Sequence, residues 1–278
     1  MMDALIIRRH QMKDLYRIGF QPYVQYEMIL EFMRHWFQNL SGNAQGVIVG
    51  MSGGKDSTIA AYLWAKAIGK DKVLGVMMPD CNVDQSSISQ NHFAANAAPG
   101  TPMADALAAC SFIGINSIVI PVGDIVNKTT SALLIAKEEI NPETVANITA
   151  RSRMMILYGL AQELHYRVSC NSNASEIYLG YTTKYGDFAG DVAPLAHLTK
   201  TQVVQLGKCC ELPNYLIEKA PEDGLSGKTD EDAFGFTYED VDLILMSGDH
   251  PNKEIKEKIL NRHHMTEHKR VSIPHIIS

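Results

Sequence analysis

The 278-residue chain lacks the features that mark several large classes of protein. No stretch approaches the ~18 consecutive apolar residues of a membrane-spanning helix. Residues 1–9 lack the apolar core and small-residue cleavage site of a secretory leader. No membrane association is expected, and the expected location is cytoplasmic. Positive charge is not in surplus: 25 Lys and Arg face 31 Asp and Glu, a net charge of −6, so a surface for a long nucleic acid is not expected. Cysteine is scarce. Cys81, Cys110, Cys170, Cys209 and Cys210 are odd in number and contain no C-x-x-C pair, which argues against a disulfide framework and a structural zinc site. There is no internal repeat, Gly/Ser linker or low-complexity tract.

What is present is globular material, 46% hydrophobic and 20% charged, enough for a sizeable core. Met28, Ile29, Phe32, Met33, Trp36 and Leu40 recur at threes and fours, which predicts a helix over 14–40. At residue 46 the pattern changes to a short apolar strand (46–50), a Gly-rich turn and an Ala-rich helix over 57–68. Further strands are predicted at 72–78, 116–122 and 167–170, and helices at 103–112, 129–140, 144–166 and 199–210. Strands alternating with helices predict an α/β fold, a parallel sheet with helices on both faces and extra helices at the two ends of the chain. Residues 80–101 and 220–235 form loops longer than a connection needs, each following an element end where ligands bind in such folds.

The segment Gly50-Met51-Ser52-Gly53-Gly54-Lys55-Asp56-Ser57 carries the clearest chemistry. Glycines after a strand and before a helix let backbone amides converge, and the helix N-terminus adds partial positive charge, so the segment reads as a phosphate cradle. It is not a Walker A loop, because Val49 stands where the first glycine belongs and Asp56 where the hydroxyl belongs. The remaining pattern, Ser-Gly-Gly-x-Asp-Ser, is similar to the loop of ATP-pyrophosphatase enzymes. A carboxylate such as Asp56 beside polyphosphate calls for Mg²⁺ between them. Ser52 and Ser57 can donate to phosphate oxygens, and Lys55 can neutralise charge. A second charged cluster runs over 170–200. There Thr199 and Gln202 form a capping box that makes Lys200 the first helical residue. A cation in that place opposes the helix dipole unless an anion, such as phosphate, sits between it and the helix end. His264 and His268, four residues apart, have metal-ligand spacing, but a solvated basic tail explains the segment as well.

Taken with Ala150-Arg-Ser-Arg-Met154, Asn173-Ala-Ser-Glu176, Thr183-Lys-Tyr-Gly-Asp187, Asp191-Val-Ala-Pro194, Lys219-Ala-Pro221 and His268-Lys-Arg270, the loop makes the chain resemble the ammonia-dependent NAD synthetases over nearly its whole length. The resemblance implies a Rossmann-like fold of the adenine nucleotide alpha-hydrolase type. It implies one domain, with an N-terminal helix (14–40), a nucleotide-binding core (46–210) and a C-terminal helical region with a basic tail (211–278). The implied reaction is amidation of deamido-NAD by ammonia through an acyl-adenylate, with ATP as co-substrate, giving NAD, AMP and pyrophosphate. Residue by residue, Gly50 to Ser57, Asn171, Lys200 and Glu222 match ATP contacts, with Asp56 and Lys200 in the catalytic roles. Asp56 and Glu176 match Mg²⁺ ligands. Arg151, Lys184, Asp191, His268 and Lys269 match deamido-NAD contacts. Arg151 and Arg153, two residues apart, point to different helix faces, so one of them is expected to meet ligand. The resemblance also implies a homodimer. Asn171 and Glu222 stand where the family has threonine, and Glu222 places a negative charge near the nucleotide. The rival readings are another ATP-pyrophosphatase enzyme, such as a tRNA-modifying adenylating enzyme, and a nucleotide-binding relative without turnover.

Overall fold

The computed structural model describes residues 19–81, 100–218, 231 and 234–276. The expectations for Glu222, for 82–99 and for 219–230 lie outside the described residues. Helix α1 (Pro22–Asn39) starts on a proline, which has no N–H to leave unpaired at a helix N-terminus. Strand β1 (Gly46–Gly50) follows, then α2 (Lys55–Ile68), β2 (Val73–Met77), α3 (Pro102–Ile113), β3 (Asn116–Val119), α4 (Gly123–Leu133), α5 (Pro142–Leu164) and β4 (Tyr166–Ser169). A short α6 (Ala174–Leu179), α7 (Lys200–Cys209), α8 (Asn214–Ile217), α9 (Tyr238–Ser247) and α10 (Lys253–Met265) complete the described chain.

The four strands are parallel in the order β3-β2-β1-β4. β1 reads as a continuous β-branched run because both of its faces are covered. Val47 and Val49 point into a core with α1, α2, α3 and α7, and Ile48 points into a second core with α4 and α5. Trp64 of α2 is fully buried, meets Trp36 edge-on at 6.0 Å, and donates its indole N–H to Ser169 Oγ at 3.0 Å. A third cluster packs α9 and α10 against Leu179 of α6. From β1 the chain runs outward through β2 and β3, then returns to place β4 on the other side of β1. The crevice at the carboxyl ends of β1 and β4 is therefore the point where a parallel sheet of this kind opens to ligands.

Several element boundaries differ from the sequence expectation for identifiable reasons. β3 stops at Val119 rather than 122, since Pro121 has no N–H to continue the ladder. Helix α4 occupies 123–133 instead of 129–140, because Val122 and Val126 anchor it to the sheet. Leu134 and Ile135, inside the expected 129–140 range, are exposed beyond its last residue. Helix α1 begins at Pro22, and residues 14–18 lie outside the described part. The basic tail is not freely solvated. Thr266 Oγ1 donates to the Leu179 carbonyl at 3.2 Å, the Arg270 guanidinium donates to the Ile177 and Tyr178 carbonyls at 3.3 and 3.1 Å, and His263 stacks on Tyr178 at 4.0 Å. His268 falls after α10 has ended, so the pairing with His264 on one helix face does not form.

Candidate active site

The Gly-rich turn leaves β1 and bends sharply into α2. Gly53 has φ +81°, and a Cβ there would lie 2.1 Å from the Pro102 carbonyl oxygen, so only glycine lets the loop pass the start of α3. The hydroxyls expected to meet phosphate hold the turn together. Ser57 Oγ donates to the Gly54 carbonyl at 3.0 Å and accepts from Ser52 N–H at 3.3 Å, while Ser52 Oγ accepts from Gly54 N–H at 3.2 Å. Asp56 thereby sits in the first turn of α2, facing across the crevice.

On the far wall Asn173 opens α6 with a capping box. Its side chain accepts from the Glu176 N–H at 3.0 Å, and Glu176 Oε2 accepts from the Asn173 N–H at 3.3 Å. The box fixes the Glu176 carboxylate, leaving Oε1 to accept from Lys200 Nζ at 2.5 Å. The same ammonium reaches Asp56 Oδ2 at 3.0 Å, and Asn173 Nδ2 donates to Asp56 Oδ1 at 3.3 Å. Burial alone would lower the Lys200 pKa, but the two carboxylates outweigh it and hold the ammonium well above the usual lysine range. Burial pushes the Glu176 carboxyl up, opposed by Lys200. Burial and the charge of Lys200 together lower the Lys55 pKa.

A cavity of about 530 Å³ opens between these walls. Gly50, Met51, Ser52, Asp56, Ser57, Asn171 and Glu176, all anticipated from sequence, line it. Asn171 is held by Ser169 Oγ, which donates to its Oδ1 at 3.1 Å, and by its own Nδ2 donating to the Gly50 carbonyl at 3.3 Å. Met77, Met78, Met103, Met154 and Leu157 supply an apolar side, the surface a nucleotide's base and sugar would need.

Of the two arginines, Arg153 faces this cavity, with its Nε donating to the Met78 carbonyl at 2.9 Å. Arg151 is exposed and donates to the Lys184 carbonyl at 3.1 Å. Lys184 Nζ in turn donates to the His268 carbonyl at 2.6 Å, and Lys269 Nζ to the Gly180 and Thr182 carbonyls, each at 2.7 Å. Arg151, Lys184 and Lys269 thus form one cationic ridge beside the crevice, with the backbone of His268 holding Lys184. Asp191 stands apart from it: one carboxylate oxygen accepts from the Val168 N–H at 2.8 Å and ties the 191–192 segment to β4.

At the start of α7 the protein itself supplies an anion beside Lys200. Thr199 and Gln202 form the expected capping box, and the anion at the helix end is the Asp242 carboxylate of α9, which accepts from Thr201 N–H at 2.9 Å. Sequence reasoning missed Asp242, and quoted Asn173 only within a motif, without a role. The Asn-x-x-Glu pattern was a readable capping-box signal for Asn173, whereas Asp242, one acidic residue among several in its helix, carried none. Among the described residues, no three or more His, Cys, Asp or Glu side chains converge as a metal site, so the metal-ligand chemistry available here is that of two carboxylates.

Comparison with known proteins adds an independent line. Residues 25–277 match the family model for NAD synthase. The NH3-dependent NAD+ synthetase of Methanocaldococcus jannaschii is 38% identical over 218 residues, 78% of each chain. The solved structure of NMN synthetase from Francisella tularensis superposes with a TM-score of 0.78 at 31% identity, over 93% of this chain and 99% of that one. The NH3-dependent NAD synthetase from Campylobacter jejuni gives a TM-score of 0.69 at 25% identity, over 94% and 100%.

Proposed function

The chain belongs to the NAD synthase family, and from that premise we propose how its residues carry out ATP-dependent amidation of deamido-NAD. ATP adenylates the nicotinate carboxylate, pyrophosphate leaves, and ammonia displaces AMP from the acyl-adenylate to give NAD. The observation that carries the reading is the convergence of Asp56, Glu176 and Lys200 at the carboxyl end of β1, beside a glycine turn shaped for phosphate. Family membership favours this reaction over the tRNA-modifying rival.

The triphosphate brings about four negative charges to a corner that already holds two carboxylates. Both carboxylates converge on one cationic atom, Lys200 Nζ, and their hard oxygens are donors that Mg²⁺ accepts. Asp56 and Glu176 would hold that ion, which supplies charge neutralisation to the polyphosphate. Lys200 then turns its ammonium to the phosphate oxygens and stabilises the departing pyrophosphate. The N-terminus of α2, which opens directly after the glycine turn, adds its partial positive charge to the same group. The ridge of Arg151, Lys184 and Lys269 offers positive charge to the phosphates of deamido-NAD, with His268 beside them.

Ammonia is the donor named for the Methanocaldococcus and Campylobacter relatives. The free base attacks, so the rate at fixed total ammonium should rise with pH toward ~9. We also assign a homodimer: Tyr23, Val24 and Met28 of α1 and Met155 and Tyr158 of α5 leave apolar surface exposed on a single chain. No helix among the described residues is long and apolar enough to cross a membrane, and the free thiols fit a cytoplasmic place of work. The test is one incubation with ATP, Mg²⁺, ammonium and deamido-NAD, read as NAD formed. A parallel arm supplies nicotinate mononucleotide, because the Francisella neighbour is named for NMN. NAD formation supports the reading. Amidation of the mononucleotide alone would move the substrate, and no product in either arm would contradict the reading.

A further inference from the structure

The Lys200 ammonium is hydrogen-bonded to both Asp56 and Glu176, and its own placement is set from outside the sheet, by α9. Asp242 of that helix is 3% exposed and uses both carboxylate oxygens on the first turns of α6 and α7. Oδ2 accepts from the Thr201 N–H at 2.9 Å, and Oδ1 accepts from the hydroxyl of Ser175. Ser175 Oγ accepts in turn from the Lys200 N–H at 2.9 Å. One buried carboxylate therefore holds the backbone of Lys200, through Ser175, together with the residue that precedes Glu176. Four residues back on the same face of α9, the ring of Tyr238 lies 5.1 Å from Lys200 Nζ. The helix grips the lysine at its root and near its tip.

A buried carboxylate at a helix N-terminus has an ordinary use, capping. Two features here exceed it. The residue capped is a cation at the first helical position, where the dipole opposes its charge, so the negative charge of Asp242 offsets a penalty that Lys200 itself creates. The carboxylate also bridges two helices whose first turns carry Lys200 and Glu176, so it fixes the separation of those two side chains. We propose that Asp242 and Tyr238 are positioning residues for Lys200, setting its ammonium in the phosphate corner so that it can meet ATP. The proposal rests on the assignment of Lys200 to ATP made above.

The test is a double-mutant cycle read as ATP affinity by calorimetry, on the full chain with Mg²⁺ and without deamido-NAD or ammonium. Lys200→Met should weaken ATP binding ~10-fold or more. Asp242→Asn, which keeps the shape and removes the charge, should weaken binding ~5- to 10-fold with Lys200 present and less than ~2-fold with Met at 200. Its effect on the unfolding midpoint should be larger with Lys200 present, because the charge then also offsets the dipole penalty of that cation. Equal weakening of ATP binding in both backgrounds would show that Asp242 acts on the fold at large, and would overturn the proposal. So would unchanged affinity in folded Asp242→Asn. If Lys200→Met binds ATP normally, it is the ATP role of Lys200 that has failed. Should Asp242→Asn not fold, Tyr238→Leu carries the same cycle. It should cost ~3-fold in affinity only when Lys200 is present, and Tyr238→Phe, which keeps the ring, should restore it. Leucine and phenylalanine behaving alike would contradict the proposal.

Discussion

The two ends of the candidate site are built on different electrostatic plans. In the phosphate corner each charged group is matched by another. Lys200 spans Asp56 and Glu176, Asn173 steadies Asp56, and Asp242 holds the start of α7. Along the ridge the cations Arg151, Lys184 and Lys269 donate to backbone carbonyls, which orient a cation without cancelling its charge. The corner is prepared to exchange one cation for another when polyphosphate arrives, and the ridge is prepared to keep positive charge available for an anionic ligand. Loss of one charge should therefore be far costlier in the corner than on the ridge.

The sharpest way to break that contrast is Asp56→Asn. It should lower kcat by ~10³-fold or more while the unfolding midpoint moves little, because one carboxylate remains to pair with Lys200. Steady-state pyrophosphate release and a melting curve decide it. Gly53→Ala comes next. The positive φ and the 2.1 Å approach to Pro102 should cost about 2–4 kcal/mol of stability on chemical denaturation. Lys184→Ala should raise the KM for deamido-NAD ~10-fold and leave the KM for ATP within ~2-fold. An equal rise in both would erase the distinction between the ends.

The smallest expected effect comes from His197, close in sequence to α7. Burial pushes its imidazole down to about 4. A histidine with a lower pKa folded than unfolded takes up protons on unfolding. Its contribution is therefore intact above pH ~6.5 and lost progressively down to about 4, roughly 2 kcal/mol by pH 5. His197→Gln should flatten stability between pH 7 and 5, as read by denaturant titration at each pH.

The corner was legible in sequence to the extent that its parts are local. The glycine turn, Asp56 in its first helical turn, and the capping box ahead of Lys200 each occupy fewer than ten consecutive residues. Strand β1 was legible for the same reason, as a short β-branched run with glycine at both ends. What the sequence left open depends on chain segments brought together from afar. The helical period placed Arg151 and Arg153 on different faces of α5 without saying which face meets the sheet. Asp242, 42 positions beyond Lys200, reaches it only because α9 packs beside α6 and α7. The shift of α4 followed from Val122 and Val126 burying against the sheet, which outweighed the apolar run Leu133, Leu134 and Ile135.

The central claim is that the corner of Asp56, Glu176 and Lys200 splits ATP against the carboxylate of deamido-NAD. Exchange of labelled pyrophosphate into ATP, with ammonium omitted, isolates that half-reaction. The wild-type chain should catalyse exchange that depends on both deamido-NAD and Mg²⁺, and Asp56→Asn should catalyse none above background. Exchange at the wild-type rate in Asp56→Asn would contradict the account.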